Sequence, residues 1–298
     1  MLSIIIPSYN EEKMIEKTAE TVSSIMDSKK IEYELIFVDD GSRDSTWDKI
    51  KKVSNKKIIG LRFSKNFGKD AAVLAGLKKA SGDCAVILDC DLQFPPEKIF
   101  EMYKLWLEGY DIVEGTKKQR GKENPVYGFF AKTFYKIMSG SCHLDLSNDC
   151  DFKMIDRKVV DTICDFPEKD FFFRGIISKI GFRRAKVKFT VAERTEGDSK
   201  WSVKKLIKYA ITNICSYTNL PLLLPIITTA LFILASVMNL IIYACNKNNV
   251  VLIAGIITLC SGIIMGNISV IGYYIWKIHE ASKQRPRYIL AETTILKP

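Results

Sequence analysis

Three polar segments, each directly after a short apolar run, carry the side chains best suited to chemistry. They are residues 7–11 (PSYNE), 39–42 (DDGS) and 89–93 (DCDLQ). In the third segment Asp89 and Asp91 are alternate residues leaving a strand, so both carboxylates can point to one place. Such oxygen ligands suit Mg²⁺ or Mn²⁺ bound together with phosphate oxygens, where the metal would neutralise charge on a leaving diphosphate. One acidic strand end could merely cap the next helix, but three together predict a site for a cation and a ribose.

A repeated pattern of short β-branched runs and amphipathic helices positions these segments over residues 1–120. The predicted strands are residues 2–6, 34–38, 58–63, 84–88 and 111–114, and the predicted helices are residues 11–26, 45–53, 69–80 and 95–108. Alternation of continuous apolar strands with helices predicts a doubly wound α/β domain, with ligands beyond the carboxyl ends of a parallel sheet. Farther along, the pattern predicts a helix at 129–138, short strands at 151–155 and 186–191, and a loop at 193–199.

Two long segments without charged side chains follow this domain. No Asp, Glu, Lys or Arg occurs in residues 209–246 or 248–276, and residues 201–220 alternate lysines with apolar residues at helical spacing. The pattern predicts an amphipathic helix in the membrane interface and then two transmembrane helices, residues 222–244 and 250–276. The alternative, a buried helical hairpin in a soluble protein, would need a much larger domain to cover both segments.

Basic residues around the predicted spans set their orientation. Lysines 204, 205 and 208 precede the first span, Lys277, Lys283, Arg285 and Arg287 follow the second, and the loop between them has only Lys247. Excess positive charge marks the cytoplasmic side, so both ends and the α/β domain are predicted to be cytoplasmic. The net charge of +10 predicts an anionic partner. Basic residues within 183–208 adjoin the spans, which favours anionic lipid headgroups, at about 1 kcal/mol per basic residue, over a merely solvated face.

Several function classes lose support from what the sequence lacks. The eight cysteines form no CxxC pair and only two histidines occur, which argues against a disulfide scaffold, a zinc site and a Ser-His-Asp triad. Neither GxGxxG nor GxxxxGK(S/T) occurs, so dehydrogenase and P-loop functions lose their main support. No nucleic-acid motif accompanies the basic residues, and no nucleic-acid partner is predicted.

Five segments together resemble a known family: IIIPSYNEE, VDDGSRDST, NFGKDAAVLAGL, LDCDLQFPPE and ERTEGDSKW. They are similar to family 2 glycosyltransferases of the GT-A fold, in the polyprenyl-phosphate branch that includes dolichyl-phosphate mannose synthases and undecaprenyl-phosphate glucosyltransferases. The resemblance covers nearly the whole chain, including the RPRY tail. It implies a GT-A catalytic domain over residues 1–200, an amphipathic juxtamembrane segment at 201–220, a two-helix transmembrane hairpin at 221–277 and a cytoplasmic tail at 278–298.

The resemblance also implies an activity. A single sugar would pass, with inversion, from a UDP- or GDP-sugar to a polyprenyl phosphate, undecaprenyl phosphate in a bacterium, at the cytoplasmic face of the membrane. The sugar and the nucleotide base stay open. Relatives can form tetramers, so a homo-oligomer is an additional expectation.

Site residues carry over where the motifs match. The implied nucleotide-sugar ligands are Pro7, Tyr9, Glu11, Asp39, Asp89, Lys117 and Arg120; the implied ligands of Mg²⁺ or Mn²⁺ are Asp89, Asp91 and Gln93; and the implied catalytic residues are Asp151, Arg194 and Lys200. Lys117 stands where relatives usually have arginine, so the charge is kept but the bidentate fork is lost. The side chains of Lys200, Lys204, Lys205 and Lys208 could receive the acceptor phosphate, while simple anchoring explains the last three equally well.

The role of Asp151 has two readings, catalytic base or positioning residue. A phosphate monoester has its second pKa near 6, so the acceptor is largely ionised at pH 7 and needs no strong base. Two rival functions also stay open. A processive polysaccharide synthase would carry a QxxRW motif and more spans, and a non-enzymatic membrane scaffold would be expected to have lost the acidic strand ends.

Overall fold

The computed structural model describes residues 1–117, 150–166, 172–190, 231, 249–283 and 286–294. The chain divides into two compact units, one formed by Met1–Leu206 with Pro286–Pro298 and the other by Ile207–Arg285. The predicted helix at 129–138 and the predicted loop at 193–199 lie outside the described residues.

The first unit is built on one sheet. Its described strands are β1 (Leu2–Ser8), β2 (Tyr33–Asp39), β3 (Ile58–Phe63), β4 (Cys84–Ile87), β5 (Ile112–Lys117), β6 (Lys153–Asp156), β7 (Arg184–Phe189) and β8 (Leu290–Thr293). They lie in the order β7-β5-β6-β4-β1-β2-β3-β8. Strands β1 to β4 are mutually parallel, as are β5 and β7, whereas β6 and β8 run antiparallel to their neighbours. The predicted mostly parallel α/β sheet is confirmed.

Helices cover both faces of this sheet. They are α1 (Ile15–Ser28), α2 (Thr46–Val53), α3 (Lys69–Lys79), α4 (Lys98–Leu107), α5 (Arg157–Asp165) and α6 (Phe173–Lys179). Ile4 and Ile6 pack with α1 and α4 on one face, while Ile5 packs with α3, α5 and α6 on the other. Burial on both faces explains why the strands are continuously apolar instead of alternating.

Helix α3 lies directly on β1, and this close approach depends on a glycine. A Cβ atom at Gly76 would stand 2.3 Å from Cγ2 of Ile5, so any side chain there would require either Ile5 or the helix to shift. The approach matters for function because the first residue of α3, Lys69, reaches into the candidate site.

The predicted elements of the first 120 residues are all present, with shifted ends. The strand at 58–63 has the predicted bounds, whereas α1 begins at Ile15 instead of residue 11. The later start follows from the backbone N–H of Glu11, which donates to Oγ1 of Thr46 at 2.8 Å and holds this segment in the loop. Similarly, α4 begins at Lys98 because the two prolines before it form a turn.

The segment predicted as a cytoplasmic tail contributes β8 to the sheet. It pairs antiparallel with β3, and the N–H of Gly60 donates to Oγ1 of Thr294 at 2.8 Å. The ring of Tyr288 stacks on Phe63 with centroids 5.0 Å apart. A strand that follows the apolar segments therefore completes the edge of the sheet on which the N-terminal elements lie.

The described part of the second unit is essentially one helix, α7 (Asn249–Ser282). Within it Leu259–Trp276 has a mean hydropathy of 1.4 and is long and apolar enough to cross a membrane, by length and composition. Where the structure describes the side chains of this stretch, none of those residues is buried, and Ile264, Ile268 and Ile275 are more than half exposed. The second predicted span falls within α7. The first, residues 222–244, lies outside the described residues apart from Leu231.

Candidate active site

The loops after β1 and β2 are tied together by side chains. The N–H of Asn10 donates to Oγ of Ser42 at 2.8 Å, and the N–H of Arg43 donates to Oδ1 of Asn10 at 2.9 Å. Asn10 has φ +53° and Gly41 has φ +66°, and a Cβ at Gly41 would lie 2.4 Å from the carbonyl carbon of Lys65. The segments 7–11 and 39–42 thus form one rigid surface at the carboxyl edge of the sheet.

Asp39, at the end of β2, keeps one carboxylate oxygen without a hydrogen bond. Oδ1 accepts from the N–H of Ser42 at 2.9 Å, while the buried Oδ2 has only an ionic contact, with Nε of Arg62 at 3.4 Å. Burial raises the pKa of Asp39, and the hydrogen bonds from Ser42 oppose that rise. A buried acceptor without a donor costs stability, which is the pattern expected where a ligand N–H or O–H supplies the missing bond.

Arg62 is held in turn by β8. Its Nη1 lies 3.0 Å from Oε1 of Glu292, whose Oε2 accepts from Nε1 of Trp47 at 2.9 Å. The guanidinium also lies over the Trp47 ring, 5.9 Å from its centroid. Sequence reasoning missed this group because Glu292 and Trp47 are separated by 245 positions.

Asp40 has a structural role that positions α3. Its carboxylate accepts from the N–H groups of Phe67 at 2.6 Å and Gly68 at 2.9 Å, just before the helix starts. Burial raises the pKa of Asp40 to about 6, against the lowering effect of these two bonds. Gly68 has φ +99°, a conformation that favours glycine. Asp40 therefore fixes the point at which α3 begins.

Lys69, the first residue of α3, joins two acidic residues. Its Nζ lies 2.6 Å from Oδ1 of Asp89 and 2.7 Å from Oδ2 of Asp151, and the side chain retains 38% of its exposure. The next residue, Asp70, accepts at 3.1 Å from the N–H of Phe173 at the start of α6. Burial raises the pKa of Asp70 to about 6, and the charge of Asp151 adds to the rise.

Two cationic side chains bind the Asp151 carboxylate from different sides. Arg174 of α6 places Nε 2.6 Å from Oδ1 and Nη2 2.9 Å from Oδ2, and Lys69 contacts Oδ2 as well. Burial alone would raise the pKa of Asp151, but Arg174 and Lys69 outweigh it and hold that pKa well below the usual range of aspartate. At Lys69 burial would lower the pKa of the ammonium group, but the charges of Asp151 and Asp89 outweigh it and raise that pKa. Both oxygens of Asp151 are thus occupied by cations.

The segment 89–93 forms a turn directly after β4. The hydroxyl of Thr18 donates to the Cys90 carbonyl at 2.7 Å, and the Cys90 side chain is buried in the core. Asp89 and Asp91 flank it and stay partly exposed. Oδ1 of Asp91 accepts from the N–H of Gln93 at 3.1 Å, and Leu92 between them has φ +54°.

The described residues contain no cluster of three or more His, Cys, Asp or Glu side chains arranged to hold a metal. The acidic turn nevertheless binds a cation, because the Lys69 ammonium stands at Asp89. Mg²⁺ commonly takes one or two protein carboxylates and completes its shell with water and substrate phosphates. The donor set of Asp89, Asp91 and Gln93 fits a hard divalent ion of this kind.

The remaining predicted residues divide into two groups. Pro7 lies near the carboxyl end of β1 opposite Val38, Tyr9 and Glu11 lie in the loop that follows, and the backbone of Lys117 ends β5 opposite Phe189. Arg120, Arg194 and Lys200 lie outside the described residues. Lys69 and Arg174 were missed, although Lys69 stands within the recognised segment NFGKDAAVLAGL.

The sequence profile of Glycosyl transferase family 2 matches residues 3–164, which is more than half of the chain. The chain belongs to glycosyl transferase family 2. An uncharacterized glycosyltransferase of Bacillus subtilis, YkcC, is 34% identical to this family 2 enzyme over 98% of the chain and 93% of the relative. A bactoprenol glucosyl transferase of Shigella phage SfV is 31% identical over 97% of both chains.

Solved structures agree with this family 2 glycosyltransferase in fold. Glucosyl-3-phosphoglycerate synthase from Mycobacterium tuberculosis, in complex with Mn²⁺, UDP and glucosyl-3-phosphoglycerate, superimposes with a TM-score of 0.52 at 19% identity, covering 74% of this chain and 80% of that one. Mannosyl-3-phosphoglycerate synthase from Rubrobacter xylanophilus gives a TM-score of 0.51 at 16% identity, with 72% of each chain covered. At these identities the likeness supports the GT-A architecture alone.

Proposed function

We propose that the protein transfers one sugar, with inversion, from a UDP- or GDP-sugar to a polyprenyl phosphate at the cytoplasmic face of a membrane. The observation that carries the proposal is the convergence of three chain regions at the carboxyl edge of the sheet, where Lys69 joins Asp89 to Asp151. Relatives named bactoprenol glucosyl transferases match over 97% of the chain and support a lipid acceptor.

The donor lies across the ends of β1, β2 and β4 in this proposal. Oδ2 of Asp39, which is buried and lacks a hydrogen bond, accepts from the nucleoside in this proposal, beside Pro7, Tyr9 and Glu11. Asp89, Asp91 and Gln93 would hold Mg²⁺ or Mn²⁺, which when bound would neutralise the charge that develops on the leaving diphosphate. Lys117 and Arg120 add positive charge to the donor side. The Mn²⁺ and UDP bound by the mycobacterial synthase are consistent with this arrangement.

The acceptor phosphate reacts without a strong base. A phosphate oxygen attacks the anomeric carbon, the bond from that carbon to the diphosphate oxygen breaks, and the nucleoside diphosphate leaves from the opposite face of the sugar. Because the acceptor is already ionised, no proton must be removed by Asp151. With both oxygens held by Arg174 and Lys69, Asp151 is better suited to position these cations than to accept a proton. Arg194 and Lys200 are proposed to bind the acceptor and donor phosphates.

The division of the chain into units supports a membrane hairpin. Met1–Leu206 and Pro286–Pro298 belong to one compact unit, which supports an intervening segment that leaves and returns on the same side of a bilayer. An even number of crossings satisfies this condition. Helix α7 offers one crossing, which supports a second one among residues 207–248 and the cytoplasmic location of both ends.

The test is transfer by the purified full chain in detergent. The protein is incubated with undecaprenyl phosphate, Mn²⁺ and each member of a UDP- and GDP-sugar panel, and the chloroform-soluble product is analysed by mass spectrometry, with EDTA as the control. We expect one hexose or N-acetylhexosamine per lipid, dependent on metal. A polymeric product would instead favour a processive synthase. Absence of both transfer and nucleotide-sugar binding would favour a scaffold.

A further inference from the structure

The position of Lys69 has a consequence for how a metal enters the site. Its Nζ lies 2.6 Å from Asp89 Oδ1, the distance of a charge-assisted hydrogen bond. The ammonium group therefore occupies the position that a divalent ion bound to this oxygen from the same side would take. An ammonium group and a metal ion cannot both contact one carboxylate oxygen from the same side. Metal binding to that side of Oδ1 therefore requires the ammonium to move, and metal binding to Oδ2 would place two cations on one carboxylate, where they repel each other.

The ion pairs of Lys69 are made by its ammonium group, at the end of a partly exposed side chain. The side chain retains 38% of its exposure, and its four-carbon stem is flexible. A second carboxylate, Asp151, stays in contact at 2.7 Å and retains the ammonium within the site when Asp89 is given up. Arg174 neutralises Asp151 independently, so this carboxylate does not depend on Lys69 alone.

We infer that Lys69 is a built-in counter-ion that competes with the divalent metal for Asp89, so that the metal binds tightly only together with a nucleoside diphosphate. The inference rests on the proposed function, which supplies the diphosphate. When a diphosphate arrives with the metal, the displaced ammonium lies beside new phosphate oxygens and exchanges one anionic partner for another. When the metal binds without a diphosphate, the ammonium loses its contact with Asp89 and gains no new anionic partner.

The acidic turn by itself is consistent with this dependence. Among the described residues no cluster of three or more His, Cys, Asp or Glu side chains is arranged to hold a metal, which leaves positions in its shell for substrate oxygens and water. Lys69 adds a direct penalty to binding without substrate. The chain thereby avoids holding a metal ion in a site that has no donor.

The test measures Mn²⁺ binding by electron paramagnetic resonance, with and without UDP, on the full chain in detergent. The variant Lys69→Met keeps the length of the stem and removes the charge. We expect it to bind Mn²⁺ without UDP about tenfold more tightly than the wild type, the low end of the effect of one unit charge at contact distance. UDP should increase the Mn²⁺ affinity of this variant by a smaller factor than it does in the wild type, because the variant has no ammonium group that could move from Asp89 to the diphosphate.

Two further variants separate charge from structure. Lys69→Arg keeps the positive charge and should retain weak metal binding without UDP. Lys79→Met removes the same charge from the other end of α3, about 15 Å along the helix and beyond the Debye length of about 8 Å, and should leave Mn²⁺ affinity within twofold of the wild type. If Lys69→Met does not fold, Lys69→Gln provides the same comparison with a neutral hydrogen-bond donor.

The outcomes distinguish this inference from the proposed function. If the wild type binds Mn²⁺ with UDP, but neutralising Lys69 leaves Mn²⁺ affinity without UDP unchanged, Lys69 is only a structural link and the inference is wrong. If the wild type binds no Mn²⁺ even with UDP, the metal-dependent function fails and the inference fails with it.

Discussion

The ion pair between Arg174 and Asp151 should contribute measurably to the free energy of unfolding. Breaking a buried ion pair from one side typically costs about 3–5 kcal/mol. The cost is smaller here because Arg174 retains 27% of its exposure and Lys69 remains on the carboxylate, so we expect Arg174→Met to destabilise the catalytic unit by about 2 kcal/mol. For a unit of this size that loss lowers the melting temperature by about 4–8 °C.

The destabilisation should depend on pH in a defined direction. The folded-state pKa of Asp151 is depressed, so the pair contributes its full stability above the unfolded value near 3.9 and loses it as pH falls through the folded value. The difference between wild type and Arg174→Met should therefore be complete at pH 7 and shrink below about pH 4.

A double-mutant cycle with Asp151→Asn completes the test. Arg174→Met should cost much less in the Asp151→Asn background, with an interaction energy of about 1–2 kcal/mol. The measurement is thermal unfolding of the full chain in detergent at several pH values. Equal losses in both backgrounds, or a loss that does not change with pH, would refute the assignment of this pair.

Three further predictions follow from the site. Asp91→Asn should reduce turnover at least about 100-fold while membrane insertion is retained, and full turnover with added Mg²⁺ would contradict the metal assignment. Asp70→Asn should flatten the fall in melting temperature between about pH 4 and pH 6, because a carboxyl group whose folded-state pKa is raised to about 6, above an unfolded value near 3.9, costs the folded state stability as pH rises between these two values; an unchanged slope over that range would contradict it. Glu292→Gln should weaken UDP binding about threefold in calorimetry, because a half-exposed ion pair that orients Arg62 is lost; unchanged affinity would separate β8 from the nucleotide site.

The sheet could be predicted from the sequence because its strands are buried on both faces. Runs such as residues 2–6 and 34–38 contain almost no polar residues, and this signal needs no knowledge of distant contacts. Strand β8 gives no such signal. Its four residues are exposed, and they form a strand only because the edge of β3 is available to pair with them.

The acidic part of the site was predictable for a similar reason, since strand ends in a parallel sheet meet at one edge. The cationic part was not. Lys69 and Arg174 reach Asp151 across 82 and 23 positions of sequence, and both lie in helices whose packing brings them together. Short helices such as α6, with seven residues, carry too few turns for a clear period.

The pairing of β8 with β3 also constrains how the protein is made. A domain usually folds while its chain emerges from the ribosome, but this sheet receives β8 only after the apolar segments have been synthesised. Until then β3 presents an unpaired edge, which is a site for wrong association. The sheet is therefore completed only after the apolar segments have been made, so that the final state of the α/β unit waits for synthesis of the whole chain up to β8.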